Sequence, residues 1–273
     1  MNEAQAKYER LLARIGEYSS AIVAFSGGLD SGFLLHAARA VFAPRSEPGL
    51  LAVLVRSPAV PEWDCEDAVR IAQEVGVPLR VVETNLLDQP RYKENNPLRC
   101  YFCKADLYTR LTTIRQAEGH AVIFSGTQAD DLGDYRPGLR AAAEHAVASP
   151  LLDAGLTKAE IRRLAREFGL SFWDKPGSPC LASRIPRGAP VTLEALTVVQ
   201  RAESALRHLG LRVVRVRHLG DAARVEIGED DFGSATTGAL RQAVEDALRA
   251  AGFKGVSIAR YAPSGRALLT PGA

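Results

Sequence analysis

Two sets of residues in this 273-residue chain have the types and spacing to do chemistry: a glycine–hydroxyl–carboxylate loop and three of its four cysteines. The loop is Ser26-Gly27-Gly28-Leu29-Asp30-Ser31. Paired glycines let backbone amides approach an anion with no Cβ in the way. A helix opening there adds partial positive charge, and the two hydroxyls add donors. The spacing lacks the G-x-x-x-x-G-K-[ST] pattern, so a site that transfers a γ-phosphate is not indicated. Asp30 is poorly suited to holding phosphate alone but suits a Mg²⁺ that bridges phosphates. An ordinary capped glycine turn is the plain alternative; the full six-residue string after a strand argues against it.

Cys100-Tyr101-Phe102-Cys103 is a C-x-x-C pair flanked by Arg99 and Lys104, and Cys180 stands far downstream. A structural zinc wants four ligands, and no second pair or histidine cluster accompanies this one. A thioredoxin-type pair would follow the first strand of its fold, where the glycine loop sits instead. Three thiolates, one pair and one distant, match a [4Fe-4S] cluster with one iron left open for a sulfide or a substrate atom. Cys65 falls on a helix face with Ala68, Val69, Ala72 and Val75 and reads as core.

The elements that must hold these residues follow from hydrophobic periodicity. Residues 21–25 read as a buried strand, followed by the glycine turn and a helix over 31–41. Strands at 50–55, 79–82 and 121–124 alternate with helices at 62–75 and 105–117, with the C-x-x-C placed in a polar segment just before the last of these. Alternation of this kind implies βαβ units and a parallel sheet, with the site at the carboxyl ends of the strands. A proline-rich interruption at 175–190 separates this region from a helix at 193–209, strands at 212–218 and 224–227, a helix at 240–251 and a short strand at 256–258. The expected organisation is α/β: a nucleotide domain over 1–187 and a small α+β domain, for substrate binding or oligomerisation, over 188–273.

Ser26 to Ser31 resembles the PP-loop of the ATP pyrophosphatase superfamily, and Ser125-Gly126-Thr127-Gln128-Ala129-Asp130-Asp131 resembles its second nucleotide-side motif. These enzymes cleave ATP between the α- and β-phosphates, adenylate a substrate oxygen and release pyrophosphate. The resemblance implies ATP contacts from Ser26, Gly27, Gly28, Asp30, Ser31, Gly126, Thr127 and Asp130, with Asp30 on Mg²⁺. Asn96 to Lys104, with Pro179-Cys180-Leu181-Ala182-Ser183-Arg184-Ile185-Pro186, resembles the LarE family over essentially the whole chain. Its members are ATP-dependent sulfur transferases of nickel-pincer cofactor biosynthesis, acting on a pyridinium dicarboxylate mononucleotide in the maturation of lactate racemase. Some deliver sulfur from a lone cysteine matching Cys180, which becomes dehydroalanine; others hold a [4Fe-4S] cluster on three cysteines matching Cys100, Cys103 and Cys180. All three positions are Cys here, which favours the cluster and leaves the sacrificial route open. Cys180 and Asp30 are then the expected catalytic residues, with Ser183 and Arg184 near the substrate.

Arg215 and Arg217 are two apart on a strand and share one face, with Val214 and Val216 turned to the core. Gly220-Asp221 fits a two-residue II′ turn, a register that sets Arg215 opposite Glu226 and Arg217 opposite Arg224. Opposed arginines want an anion between them. The resemblance places Arg215 and Arg217 on the substrate phosphate, with Glu203 and Glu226 lining the same pocket; the plain alternative is a solvated sheet face, on which a lone Glu is usual. His36 and His218 read as structural.

The 32 acidic and 34 basic residues leave a net charge of +2 with no basic block, so no nucleic acid is expected. This speaks against a PP-loop tRNA thiolase, the nearest rival. An ammonia-using PP-loop enzyme would not need three cysteines, and a non-catalytic nucleotide sensor would not need Cys180. No apolar stretch is long enough for a membrane span and no secretory h-region is present, so the expected compartment is the cytoplasm. Expected partners are the small-molecule nucleotide substrate and a sulfide source or cluster-assembly proteins. The resemblance leaves a homo-oligomer open, since members of the family can form them, but the sequence carries no interface signature.

Overall fold

The computed structural model describes residues 3–43, 49–133 and 137–262. In chain order the elements are α1 (Glu3–Gly16), β1 (Ala21–Ala24), α2 (Leu29–Phe42), β2 (Leu50–Arg56), α3 (Glu62–Val75), β3 (Leu79–Glu83), α4 (Pro90–Lys93), α5 (Arg99–Glu118) and β4 (Val122–Phe124). There follow α6 (Pro137–Glu144), α7 (Pro150–Asp153), α8 (Lys158–Glu167), α9 (Leu193–His208), β5 (Val214–Leu219), β6 (Ala222–Ile227), α10 (Glu229–Ala235), α11 (Gly238–Ala251) and β7 (Gly255–Arg260). The chain falls into two compact units.

In the first unit, β3-β2-β1-β4 form one sheet in that order, parallel throughout. Its central strands are apolar on both faces because helices cover both. Ala21 and Val23 of β1, Ala52 and Leu54 of β2, and Val122 and Phe124 of β4 join one core with α1, α2, α3 and α8. The alternate residues Ile22, Leu51, Val53 and Ile123 join a second core with Tyr108 and Leu111 of α5 and Ala141 and Ala142 of α6. This two-period split across a parallel sheet leaves the strand ends to carry loops.

Two sequence expectations change here. Helix α5 starts at Arg99, so the C-x-x-C forms its first turn rather than a loop before it. The apolar face Tyr101–Ala105–Tyr108–Leu111 runs through that turn and packs on the second core. On α3 the inward face is Asp64, Ala68, Ile71 and Ala72, whereas Val69 is 42% exposed. Residues 68, 71, 72 and 75 follow the helical period and 69 falls outside it. Cys65 is half-buried against the core, and burial pushes its thiol pKa up. Helices α6, α7, α8 and α10 are elements beyond the sequence reading.

The second unit begins at Pro179, earlier than the 187/188 division read from the sequence, and takes in Pro58–Pro61 and Leu87–Pro97. Those excursions are bonded to its opening segment. Asn95, held at φ 55°, donates its side-chain amide to the carbonyls of Pro186 (2.7 Å) and Ala189 (2.9 Å). Leu181 N–H donates to Ala59, and Val191 N–H to Lys93. The sheet order is β5-β6-β7, antiparallel then parallel. Val214, Val216, Ala223, Val225 and Ile227 bury one face against α9 and α11.

Candidate active site

The first unit presents the glycine loop between β1 and α2. Ser31 is the organiser of the loop. Its hydroxyl donates to the Gly28 carbonyl (3.2 Å), accepts from the Ser26 amide (3.3 Å) and lies 3.0 Å from Ser26 Oγ. Gly27 adopts φ 68°, and a Cβ there would stand 2.8 Å from that of Ala68 on α3, so only glycine fits this turn. Gly126, after β4, packs so closely on the start of α2 that a Cβ would meet Ser31 N at 3.0 Å. The two sequence motifs are therefore brought together at the N-terminus of α2. There, free amide donors and the helix dipole favour an anion.

Two lysines that sequence reasoning missed complete this site. Lys158, the first residue of α8, donates to both Asp30 carboxylate oxygens at 2.7 Å. Its backbone N–H donates to Asp130 at 2.8 Å, so Asp130 joins the second motif to α8. The signal was readable: Thr157-Lys158-Ala159-Glu160 is a capping box, and both of its reciprocal bonds are formed. Burial pushes the Asp30 carboxyl pKa up, opposed by the Lys158 charge. Lys175 reaches the Gly27 carbonyl (2.8 Å), Asp67 (2.6 Å) and Asp64 (3.2 Å). Thr127 Oγ1 lies 3.0 Å from Ser125 Oγ, which in turn lies 2.9 Å from Ser149 Oγ. Asp131 accepts from the Gln128 amide and side chain.

Asp30 fits a Mg²⁺ of the kind that takes one or two carboxylates and completes its shell with phosphates and water. Lys158 would have to release it. Cys100 and Cys103 share a face of the first turn of α5, Cys100 exposed and Cys103 half-buried. Thiolates at a helix N-terminus are stabilised by the dipole. The turn is braced by Tyr101, whose hydroxyl donates to Glu144 of α6 at 2.6 Å. Among the described residues no three His, Cys, Asp or Glu side chains form a group that could hold a metal ion.

In the second unit Cys180 is half-buried and precedes a 3-10 turn, Leu181–Arg184. Arg184 is 1% exposed and donates two parallel hydrogen bonds to the Glu203 carboxylate of α9, from Nε and Nη2, each at 2.8 Å. Its Nη1 donates to the carbonyls of Pro179 and Cys180 and to Ser183 Oγ. Glu203, fully buried rather than on the surface, also accepts the Val216 amide of β5 at 2.8 Å.

The strand register is the expected one, Arg215 opposite Glu226 and Arg217 opposite Arg224. Gly220 has φ 71° and Asp221 does not have positive φ, as a II′ turn requires. The ion pair, however, runs diagonally. Arg217 binds Glu226 at 2.8 Å and donates to the Ser183 carbonyl at 3.0 Å. Arg215 is buried, with its guanidinium 5.4 Å from the Tyr261 ring. Burial and the nearby Arg184 charge pull the Arg215 pKa below the usual arginine range. This is no solvated face: three guanidinium groups stand among two carboxylates, an excess of one positive charge among these five side chains.

No protein-family model matches the chain. The pyridinium-3,5-bisthiocarboxylic acid mononucleotide synthase of Lactiplantibacillus plantarum is 33% identical over 252 residues, 92% of this chain and 90% of that protein. The chain belongs to the LarE family. An uncharacterized protein of Synechocystis sp. is 40% identical over 223 residues, 82% of each chain. Among solved structures, the NMN synthetase of Francisella tularensis superposes with a TM-score of 0.48 at 15% identity, covering 64% of this chain and 75% of that one. In this LarE-family chain no described helix is long and apolar enough to cross a membrane.

Proposed function

We propose that this LarE-family protein is an ATP-dependent sulfur transferase that converts a carboxylate of a pyridinium dicarboxylate mononucleotide to a thiocarboxylate. The observation that carries the reading is the end-to-end match to the synthase, 33% identical over 92% of the chain. The carboxylate oxygen attacks the α-phosphorus of ATP and pyrophosphate leaves. A sulfur nucleophile then attacks the acyl carbon and AMP leaves with the former carboxylate oxygen.

The chain's own groups divide this work. The amides and hydroxyls from Ser26 to Ser31 receive the pyrophosphate part of ATP, and Gly126 and Thr127 complete the nucleotide side. Asp30, once released by Lys158, would hold Mg²⁺, which when bound would offset the phosphate charge. Arg215 and Arg217 take the substrate phosphate, supported by the excess positive charge of that face. Arg184 and Glu203 fix the Cys180 turn rather than meet substrate themselves. A [4Fe-4S] cluster on Cys100, Cys103 and Cys180 would supply the transferable sulfide, a reading carried by the cysteine pattern of the sequence and not by geometry, since no described side chains form a metal-holding group.

The test is anaerobic purification with iron and acid-labile sulfide analysis, beside Cys100→Ala and Cys180→Ala. About four irons per chain, lost in both variants, is the expected result. Turnover with ATP and the dicarboxylate mononucleotide should release AMP and pyrophosphate with the thiocarboxylate. Iron-free protein after reconstitution would overturn the cluster, and dehydroalanine at Cys180 after turnover would assign the sulfur to that residue. No thiocarboxylate under any of these conditions would overturn the function.

A further inference from the structure

The Lys175 ammonium is buried where a nucleotide-binding loop has no evident need of a charge. Its side chain is 9% exposed, and it sits among the Gly27 carbonyl, Asp64 and Asp67. Asp64 is buried too and accepts from Ser178 Oγ at 2.5 Å. Asp67 carries Arg70 as a second partner at 3.0 Å. Burial works against ionisation of Asp67, but the bonds from Lys175 and Arg70 prevail and hold its pKa below the ordinary value. The nest thus balances two cations, Lys175 and Arg70, against two carboxylates, Asp64 and Asp67, with Lys175 the one cation that reaches both.

The segment that delivers Lys175 is itself fastened. Phe172 packs against Gly32 of α2, where a Cβ would stand 2.7 Å from the ring. Arg162 of α8 donates to the carbonyls of Trp173 and Lys175. The ammonium therefore arrives at Gly27 on a backbone with little freedom.

We propose that Lys175 is a positioning residue of the phosphate loop, setting the plane of the Gly27–Gly28 peptide. In a trans peptide the carbonyl and the following N–H point in opposite directions. With the Gly27 carbonyl held on Lys175, the Gly28 amide is turned the other way, toward the Ser26 hydroxyl, with Oγ at 3.4 Å. That is the side on which the loop would meet the pyrophosphate part of ATP. A loop glycine at φ 68° has no side chain to hold its own orientation, and a flipped peptide would aim a carbonyl at the phosphate. Lys175 removes that alternative. The inference rests on the nucleotide reading of the loop but not on the sulfur chemistry.

The experiment is calorimetric titration of the full chain with inorganic pyrophosphate and with ATP, both with Mg²⁺, beside thermal unfolding. Lys175→Met alone would strand Asp64, so the informative variant is K175M/D64N, which removes the charge pair together. D64N alone keeps the bond to the Gly27 carbonyl. K175M/D64N is expected to bind pyrophosphate about tenfold more weakly while unfolding within a few degrees of D64N, since a charge-assisted bond to a loop carbonyl is lost. D64N is expected to lose no more than about threefold on the same scale. Lys175→Arg, which keeps a cationic donor, should recover part of the affinity.

Equal pyrophosphate affinity in D64N and K175M/D64N would overturn the proposal, leaving Lys175 a purely structural residue. A wild-type chain that binds pyrophosphate but forms no thiocarboxylate would overturn the proposed function and leave Lys175 in place. A wild-type chain that binds neither ATP nor pyrophosphate would overturn both.

Discussion

Glu203→Ala should be among the most damaging single substitutions in the second unit. The Arg184–Glu203 pair is fully buried on both sides, at 0% and 1% side-chain exposure, with two bonds of 2.8 Å. Truncating one partner leaves a guanidinium in a low-dielectric site, a change that costs about 3–5 kcal/mol. The Val216 amide loses its acceptor as well, and an unsatisfied buried donor costs about 1–3 kcal/mol. The two terms share one side chain and do not simply add, so we expect a loss of about 4 kcal/mol. At about 2–4 °C per kcal/mol for a chain near this size, the midpoint should fall by roughly 10 °C. Urea and thermal unfolding, followed by circular dichroism, read this directly.

The companion variant R184M/E203M tests the cause. Replacing both members by apolar groups of similar volume should recover the buried-charge part of the loss but not the part due to the unpaired Val216 amide. Sulfur transfer should stay lost, because Arg184 also holds the carbonyls of Pro179 and Cys180. An E203A protein within about 1 kcal/mol of wild type would refute the reasoning, since no buried charge of this kind tolerates that loss. So would an R184M/E203M protein with full sulfur transfer.

Gly27→Ala forces an L side chain to φ 68° and into Ala68, so ATP affinity should drop at least tenfold in a fluorescence or calorimetric titration. Unchanged affinity would mean that the turn relaxes freely. His36 gives a pH signature. Burial lowers its pKa below the ordinary histidine value of about 6.5, so the unfolded chain takes up the proton first and stability is lost as pH falls below that value. His36→Gln should flatten the denaturation midpoint between pH 6.5 and the lower folded pKa. A slope identical to wild type would assign the acid sensitivity to another group.

Local pattern determined much of this protein. The strand–glycine–helix of residues 21–42 needs only a buried apolar run, a turn without side chains and a helix-forming sequence, and all three are contiguous. The β5–β6 register was legible because a two-residue turn at Gly220-Asp221 fixes every opposing pair at once. The cysteine spacing and the two nucleotide motifs were likewise written in short strings.

Tertiary structure alone decided the partners of the charges. Lys158 meets Asp30 across 128 residues and Lys175 meets Gly27 across 148, and no periodicity encodes such meetings. Asp64 looks like an ordinary polar position on α3 until Lys175 and Ser178 make its burial tolerable. Glu203 and Arg184 likewise read as surface and substrate residues until they are seen to satisfy one another inside the second unit. The unit boundary moved for the same reason, because Asn95 and Ala59 hydrogen-bond to a segment about 90 or more residues downstream. A side chain's type sets which partners it requires, but only the folded chain sets which of them arrive.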